Sequence, residues 1–313
     1  MIEILTIGEL LAEIMRPKKD IPLDKIDTFK GPFASGAPAI FIDTAANLGH
    51  KSAIIGGVGN DEFGKLIISR LKKDGVETAG IKISELPTSV TFVSYFKDGS
   101  RKFIFHIRDS AASDMGNLDE DLFRQVKVFH IMGCSLMINE FIANKIVDTA
   151  KKIKKYGGIV SFDPNLREEL MNKSYIKKAL DTIIDLSHII LPGLKELLLI
   201  TGEHDKEAAI KKTLNKAYYV VLKLGSKGCE IYSRDMKYPV IVPSLDIGVK
   251  VVDFTGAGDA FDAGFICGFL ENKSLLDCGI LSNACGALNT TKLGPMEGVF
   301  KRKKVNEFIK INS

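Results

Sequence analysis

Short runs of apolar, often β-branched residues alternate along this chain with longer stretches in which apolar positions recur every three or four residues. The first run, residues 2–7, reads as a buried strand ending at Gly8-Glu9. The polar stretch after it contains Pro17, Pro22 and Pro32 and is too irregular for a helix. A helix is predicted over 39–49 with Gly49 as its C-terminal cap, then a short strand at 53–55 entering Gly56-Gly57-Val58-Gly59. Residues 89–96 and 102–108 alternate apolar and polar about Asp98-Gly99, the strongest hairpin signal in the chain.

From residue 128 the rhythm is regular. Strands are predicted at 128–132, 159–162, 188–191 and 219–224, with helices at about 140–155, 174–185 and from 194. A second hairpin-like pair, 229–233 and 238–242, precedes a glycine turn at 255–259, and a mostly helical tail follows from about 275. Strands alternating with helices give an α/β protein, a parallel sheet covered on both faces. The hairpin at 89–108 interrupts that rhythm and reads as an appendage on the main sheet. With no internal repeat or long linker, residues 1–313 are expected to form a single domain.

Composition narrows the class only a little. The chain is 45% hydrophobic and 26% charged, ordinary values for a soluble globular protein. Its net charge of +4 is spread along the sequence, which gives no nucleic-acid footprint; the densest basic cluster, Lys151 to Lys155, reads as the outer face of a helix. No run approaches the length of a membrane span, and residues 1–7 lack the features of a signal peptide. The five cysteines form no Cys-x-x-Cys pair and sit mostly among apolar neighbours, as reduced core residues do. A cytoplasmic location is the expectation.

The candidate chemistry lies in Val251-Val252-Asp253-Phe254-Thr255-Gly256-Ala257-Gly258-Asp259-Ala260-Phe261. A small-residue turn entering a helix leaves backbone N–H groups converging at the positive end of the helix dipole, an anion site. Phe261, Phe265 and Phe269 mark one face of that helix, and Gly264 with Gly268 predicts a second backbone packed closely against it. Asp259 would repel a phosphate unless its task is to take a proton from an attacking hydroxyl, the layout of phosphoryl transfer to an alcohol. The competing reading makes Asp259 a helix cap beside an ordinary turn. A dinucleotide-binding turn needs a third Gly where Phe261 stands, and a P-loop at Gly59–Lys65 fails at Leu66, where a hydroxyl should hold magnesium.

The stretch Asp253-x-Thr255-Gly256-Ala257-Gly258-Asp259, with Phe261 and Gly264, resembles the C-terminal signature of the ribokinase-like (PfkB) carbohydrate kinases. The Gly56–Gly64 segment, Gly-x-Val-Gly-x-Asp-x-x-Gly, is similar to the family's N-terminal signature, and the resemblance runs from Gly8-Glu9 to Gly294-Pro295. It implies a three-layer α/β/α sandwich with a small β-sheet lid formed by about 10–38 and 88–110. It further implies Asp259 as base, Gly256, Ala257 and Gly258 as anion hole, and Arg167 of Asp163-x-Asn165-x-Arg167 on the transferring phosphate. ATP and magnesium are the implied cofactors, with a monovalent cation near Asp253. For the nucleotide the resemblance points to Lys223, Gly225, Ser226, Gly228, Thr255, Gly256, Gly258, Asn283 and Ala287; for magnesium, through water, to Glu196. Gly193 stands where the family has an Asn beside that metal.

For the sugar, the candidates are Glu13, Gly36, Ala37, Ile40, Phe105, Arg108, Asn165 and Asp259. Ile40 replaces an Asn common in fructokinase-like members, and Glu13 replaces an Asp. A carboxylate here suits a neutral ketose such as fructose or tagatose, while Arg108 keeps an acidic sugar, 2-keto-3-deoxygluconate, as the alternative. A nucleoside kinase and a non-catalytic sugar sensor are the remaining readings; a sensor would show a damaged base or turn, and both are intact. A homodimer through exposed edges of the lid is the expected assembly.

Overall fold

The computed structural model describes residues 2–98, 100–166, 173–245, 248 and 251–312. Thirteen strands are β1 Ile4–Ile7, β2 Leu11–Met15, β3 Lys30–Ser35, β4 Ser52–Gly59, β5 Ile81–Ser84, β6 Ser89–Tyr95, β7 Arg101–His106, β8 Val128–Met132, β9 Ile159–Asp163, β10 Ile189–Ile190, β11 Tyr219–Lys223, β12 Cys229–Ser233 and β13 Val240–Val242. They form a nine-stranded sheet, β13-β12-β11-β10-β9-β8-β1-β4-β5, and a four-stranded sheet, β3-β2-β6-β7. The large sheet is parallel from β5 to β11 and antiparallel at its β12 and β13 edge. This is the ribokinase-like α/β fold that the resemblance implied.

The helices are α1 Ala37–Asn47, α2 Glu62–Asp74, α3 Glu120–Phe123, α4 Glu140–Lys155, α5 Ser174–Leu186, α6 Leu194–Thr201, α7 Lys206–Leu214, α8 Ala257–Leu270, α9 Leu275–Asn289 and α10 Arg302–Asn312. Alternate residues of each buried strand face opposite layers. Ile4, Val128 and Val221 enter the layer holding α1, α8 and α9, whereas Leu5, Phe129 and Val160 enter the layer of α4 and α5. A smaller cluster, Leu197, Ala209, Ile210, Val220 and Leu222, seats α6 and α7 over β11. Among the described residues, no helix is long and apolar enough to cross a membrane.

One local difference from the sequence reading has a physical cause. The strand expected at 53–55 continues through the glycines to Gly59, because these residues pair with β5 from Gly56↔Ile81 to Gly59↔Ser84; at Gly57 a side chain would collide with the carbonyl of Ala111. Pro17, Pro22 and Pro32 do not prevent pairing: β2 and β3 form an antiparallel pair from Leu11↔Ser35 to Met15↔Lys30, with the other prolines in the intervening loop. Buried Arg16 gathers that loop, donating to the carbonyls of Pro22, Lys25 and Thr28 and lying 3.9 Å over the Phe29 ring. The close backbone approach expected from Gly264 and Gly268 is made by α9, at Ser282 and Cys278.

Candidate active site

A cleft of about 740 Å³ opens between the small sheet and the carboxyl ends of β1, β8, β9 and β11, where open parallel sheets bind ligands. Helix α8 enters it end-on. Its N-terminal cap is Gly256 at φ +77°, with no side-chain capping bond, so Asp259 lies inside the first turn and does not cap it. The capping alternative for Asp259 therefore fails. The Asp259 carboxylate borders the cleft, mostly buried, and accepts a hydrogen bond from Asn165 Nδ2 at 3.3 Å. Asn165 holds φ +36°, a left-handed conformation that Asn tolerates better than most residues.

The turn before α8 is fixed from several directions. Asp253 accepts the Thr255 N–H at 3.0 Å and the Gly294 N–H at 3.1 Å. Asn289 Nδ2 donates to the Thr255 carbonyl at 2.8 Å and to that of Pro295 at 3.1 Å. Such anchoring presets the N–H groups of the turn, which is how an anion hole avoids reorganisation when charge develops.

The opposite wall carries carboxylates on strand ends. Glu13 of β2 is buried and accepts the Ser35 hydroxyl at 2.6 Å. Glu9, just past β1, accepts the Ser135 hydroxyl at 2.7 Å and the Cys134 thiol at 3.2 Å. Gly36 caps α1 at φ +114°, where a side chain would strike the Glu9 carbonyl; Ala37 and Ile40 follow on the same cleft wall. Ile40 is 2% exposed and packs toward Gly256. The small sheet adds Thr91, Arg101, Phe103, Phe105 and, past its end, Arg108.

Beneath the turn lies a buried charge cluster. Lys223 Nζ is 2.8 Å from Asp163 and 3.1 Å from Asp262, a carboxylate one helical turn beyond Asp259. Burial works against the ammonium, but Asp163 and Asp262, then Glu196, hold its pKa above the usual lysine value. Burial and then the charge of Asp163 raise the pKa of Asp262 well above its usual value, with Lys223 opposing the shift. Glu196 is raised by burial and by Asp163, while it accepts the N–H groups of Gly193 at 2.8 Å and Leu166 at 3.2 Å. Asp163 Oδ1 has no hydrogen-bond partner among the described residues. Two oxygen donors on one wall, one of them with an open valence, fit a hydrated divalent cation carried by a nucleotide.

Thus Glu13, Gly36, Ala37, Ile40, Phe105, Arg108, Asn165, Glu196, Lys223, Thr255, Gly256, Gly258 and Asp259 all line one cleft. Ala257 begins α8 without lining it. Gly225, Ser226 and Gly228 form a short turn after β11, outside the cleft. That turn is tied to the segment after β13 by Ser244, which donates to the Ser226 carbonyl at 2.6 Å. Asn283 of α9 closes on the same segment, donating to the carbonyls of Val242 at 3.2 Å and Pro243 at 2.9 Å; Ala287 is one turn further along α9. Arg167 falls outside the described residues.

Residues 1–301 match the pfkB family of carbohydrate kinases. The chain belongs to that family. The carbohydrate kinase is 31% identical to probable fructokinase-4 of Arabidopsis thaliana, across 99% of its own length and 97% of the relative's. A putative ribokinase II from E. coli, solved in complex with ATP and magnesium, superposes with a TM-score of 0.92 at 36% identity, each chain covered in full. A fructokinase double mutant from Vibrio cholerae O395, solved with fructose, ADP and potassium, gives 0.82 at 25% identity over 99% and 98% of the two chains. The kinase is therefore an ATP-binding phosphotransferase with an alcohol group as acceptor.

Sequence reasoning passed over Asp262, Arg101, Cys134 and Thr91 at this site. Asp262 did carry a signal, a second carboxylate one turn after Asp259 in an otherwise apolar helix. The others come from strand ends and a turn whose facing is set only by the tertiary fold.

Proposed function

We propose that this kinase transfers the γ-phosphoryl group of ATP to a hydroxyl of a neutral ketose of the fructose or tagatose type. The observation that carries the reading is Asp259, a mostly buried carboxylate in the first turn of α8, on the same cleft as Glu13. In the transfer, the sugar hydroxyl gives its proton to Asp259 as its oxygen bonds to phosphorus. The bond from phosphorus to the bridging oxygen of ADP breaks, and ADP leaves with that electron pair. The N–H groups of the Gly256–Asp259 turn, with the α8 dipole behind them, receive the charge spreading over the phosphoryl oxygens. Glu196 and Asp163 would hold magnesium through its waters, and the ion would supply charge neutralisation on the phosphates.

Glu13 and Asn165 are suited to hold sugar hydroxyls, since a buried carboxylate already fixed by Ser35 accepts bidentate O–H donors. Gly225, Ser226, Gly228, Asn283 and Ala287 form the nucleotide side of this reading. A potassium-like cation beside Asp253 and the Gly294 loop belongs to it as well, supported by the potassium-bound fructokinase.

Asp259→Asn is expected to lower turnover by about 10²–10⁴-fold, the contribution of a general base, while sugar affinity stays near wild type. Turnover within a factor of a few of wild type would remove Asp259 from the role. The substrate is tested by ADP release with magnesium-ATP across fructose, tagatose, psicose, ribose, 2-keto-3-deoxygluconate and a nucleoside. A second reading, the acidic sugar, is favoured by Arg101 and Arg108 on one cleft wall. Turnover confined to the acidic sugar would replace the ketose by that reading.

A further inference from the structure

Tyr95 ends β6, one of the two inner strands of the small sheet that carries the sugar-side wall. Its hydroxyl lies 3.0 Å from Thr255 Oγ1, across the boundary between that sheet and the turn before α8. The contact is shielded: Thr255 is 7% exposed, and burial, followed by the charge of Asp253, raises the Tyr95 phenol above its usual range. The phenol therefore stays protonated and serves as a hydrogen-bonding group, not as a base.

Thr255 is the residue before Gly256, the N-terminal cap of α8. Its backbone is held on two sides, the N–H by Asp253 and the carbonyl by Asn289. Both restraints come from the body of the molecule. The hydroxyl restraint comes from the small sheet. One strand, β6, thus carries Thr91 on the sugar wall, in register with Glu13, and Tyr95 on the anion turn.

We propose that Tyr95 is a positioning residue that couples the small sheet to the anion turn. When sugar fixes β2 and β6, the Tyr95 hydroxyl fixes Thr255 and, through it, the N–H groups of Gly256 to Asp259. The proposal rests on the reading of that turn as the anion hole. Its consequence is selective. Loss of the Tyr95 hydroxyl weakens sugar-dependent transfer more than it affects the KM for ATP or the slow hydrolysis of ATP without sugar, and for the Thr255 variants only sugar-dependent kcat is compared.

The test is a double-mutant cycle of Tyr95→Phe and Thr255→Val, with kcat, both KM values and sugar-free ATP hydrolysis measured for each protein. Tyr95→Phe is expected to lower kcat by about 5-fold, the worth of one neutral hydrogen bond, with the KM for ATP unchanged. Thr255→Val should lose a similar factor and the double variant no more than either single one; Thr255→Ser should recover the activity. Losses that multiply in the double variant overturn the coupling, as do equal losses in sugar-dependent and sugar-free turnover of Tyr95→Phe. Thermal melting of every variant keeps a folding defect from passing as coupling. A Gly256→Ala variant separates the layers: if it folds and is fully active the anion-hole reading falls, whereas an inactive one with a multiplicative cycle sinks only the role of Tyr95.

Discussion

At Gly256 the chain turns through φ +77°, and a Cβ there would stand 2.5 Å from the Pro295 carbonyl oxygen and 2.9 Å from Asn289 Nδ2. Neither neighbour can swing aside, since one is backbone and the other is the amide that ties Thr255 to Pro295. Gly225 has φ +58° but open space around it. Gly256→Ala is accordingly expected to cost about 2–3 kcal/mol in stability, summing backbone strain and displacement, and at least ~100-fold in kcat. Gly225→Ala should cost about 1 kcal/mol and little turnover. Chemical denaturation and ADP release on both proteins check the contrast. The small residues and the carboxylate of this turn were legible in sequence because only a narrow chemistry asks for them together. Tyr95 was not legible: a Tyr at the end of an alternating strand is ordinary, and its partner is distant in the chain.

Among elements, the parallel strands were easy to read because burial on both faces leaves continuous apolar runs. β3 was not. It is exposed along Lys30 to Pro32 and interrupted by Gly31 and Pro32, so local pattern carries almost no strand signal. β8 holds a different kind of exception, His130, fully buried, stacked on Phe41 at 3.9 Å and bonded through Nδ1 to the Ser161 hydroxyl at 2.7 Å. Burial lowers its pKa from 6.5 to about 3, with Asp163 opposing the shift and Lys223 adding to it. Between those values the unfolded chain binds a proton that the folded chain refuses, so this contribution to stability is present above pH 6.5 and is lost as pH falls toward 3. From pH 7.5 to 5 the loss approaches ~2 kcal/mol, at about 1.4 kcal/mol per unit below the unfolded pKa. Urea unfolding of His130→Asn at the two pH values should show a smaller difference than wild type, although the variant is less stable at both.

For the molecule as a whole, the cleft separates binding from chemistry. Glu13 and Asp259 approach it from different elements, one from strand β2 of the small sheet and one from helix α8. A sugar that binds only the folded state stabilises it by RT ln(1 + [L]/Kd), about 2.7 kcal/mol at a hundredfold excess over Kd. For a chain of this size the melting temperature should then rise by a few degrees. The rise should persist in Asp259→Asn, which keeps the sugar site, and should shrink in Glu13→Gln, which loses a charge-assisted acceptor. Differential scanning calorimetry with sugar alone distinguishes the two; an equal rise in both variants would place the sugar away from β2.

The order β3-β2-β6-β7 in the small sheet also bears on how the protein comes off the ribosome. Its central seam is the parallel pairing of β2 with β6, including Glu13↔Thr91, and β4, α2 and β5 are made between those strands. A nascent chain therefore exposes Glu13 well before its strand has a second neighbour. The same seam makes the cover impossible to graft as one cassette, because two separate pieces of the gene encode it. A change in either piece meets the other across the seam, so a redesigned sugar preference is expected to need paired substitutions, one in β2 and one in β6.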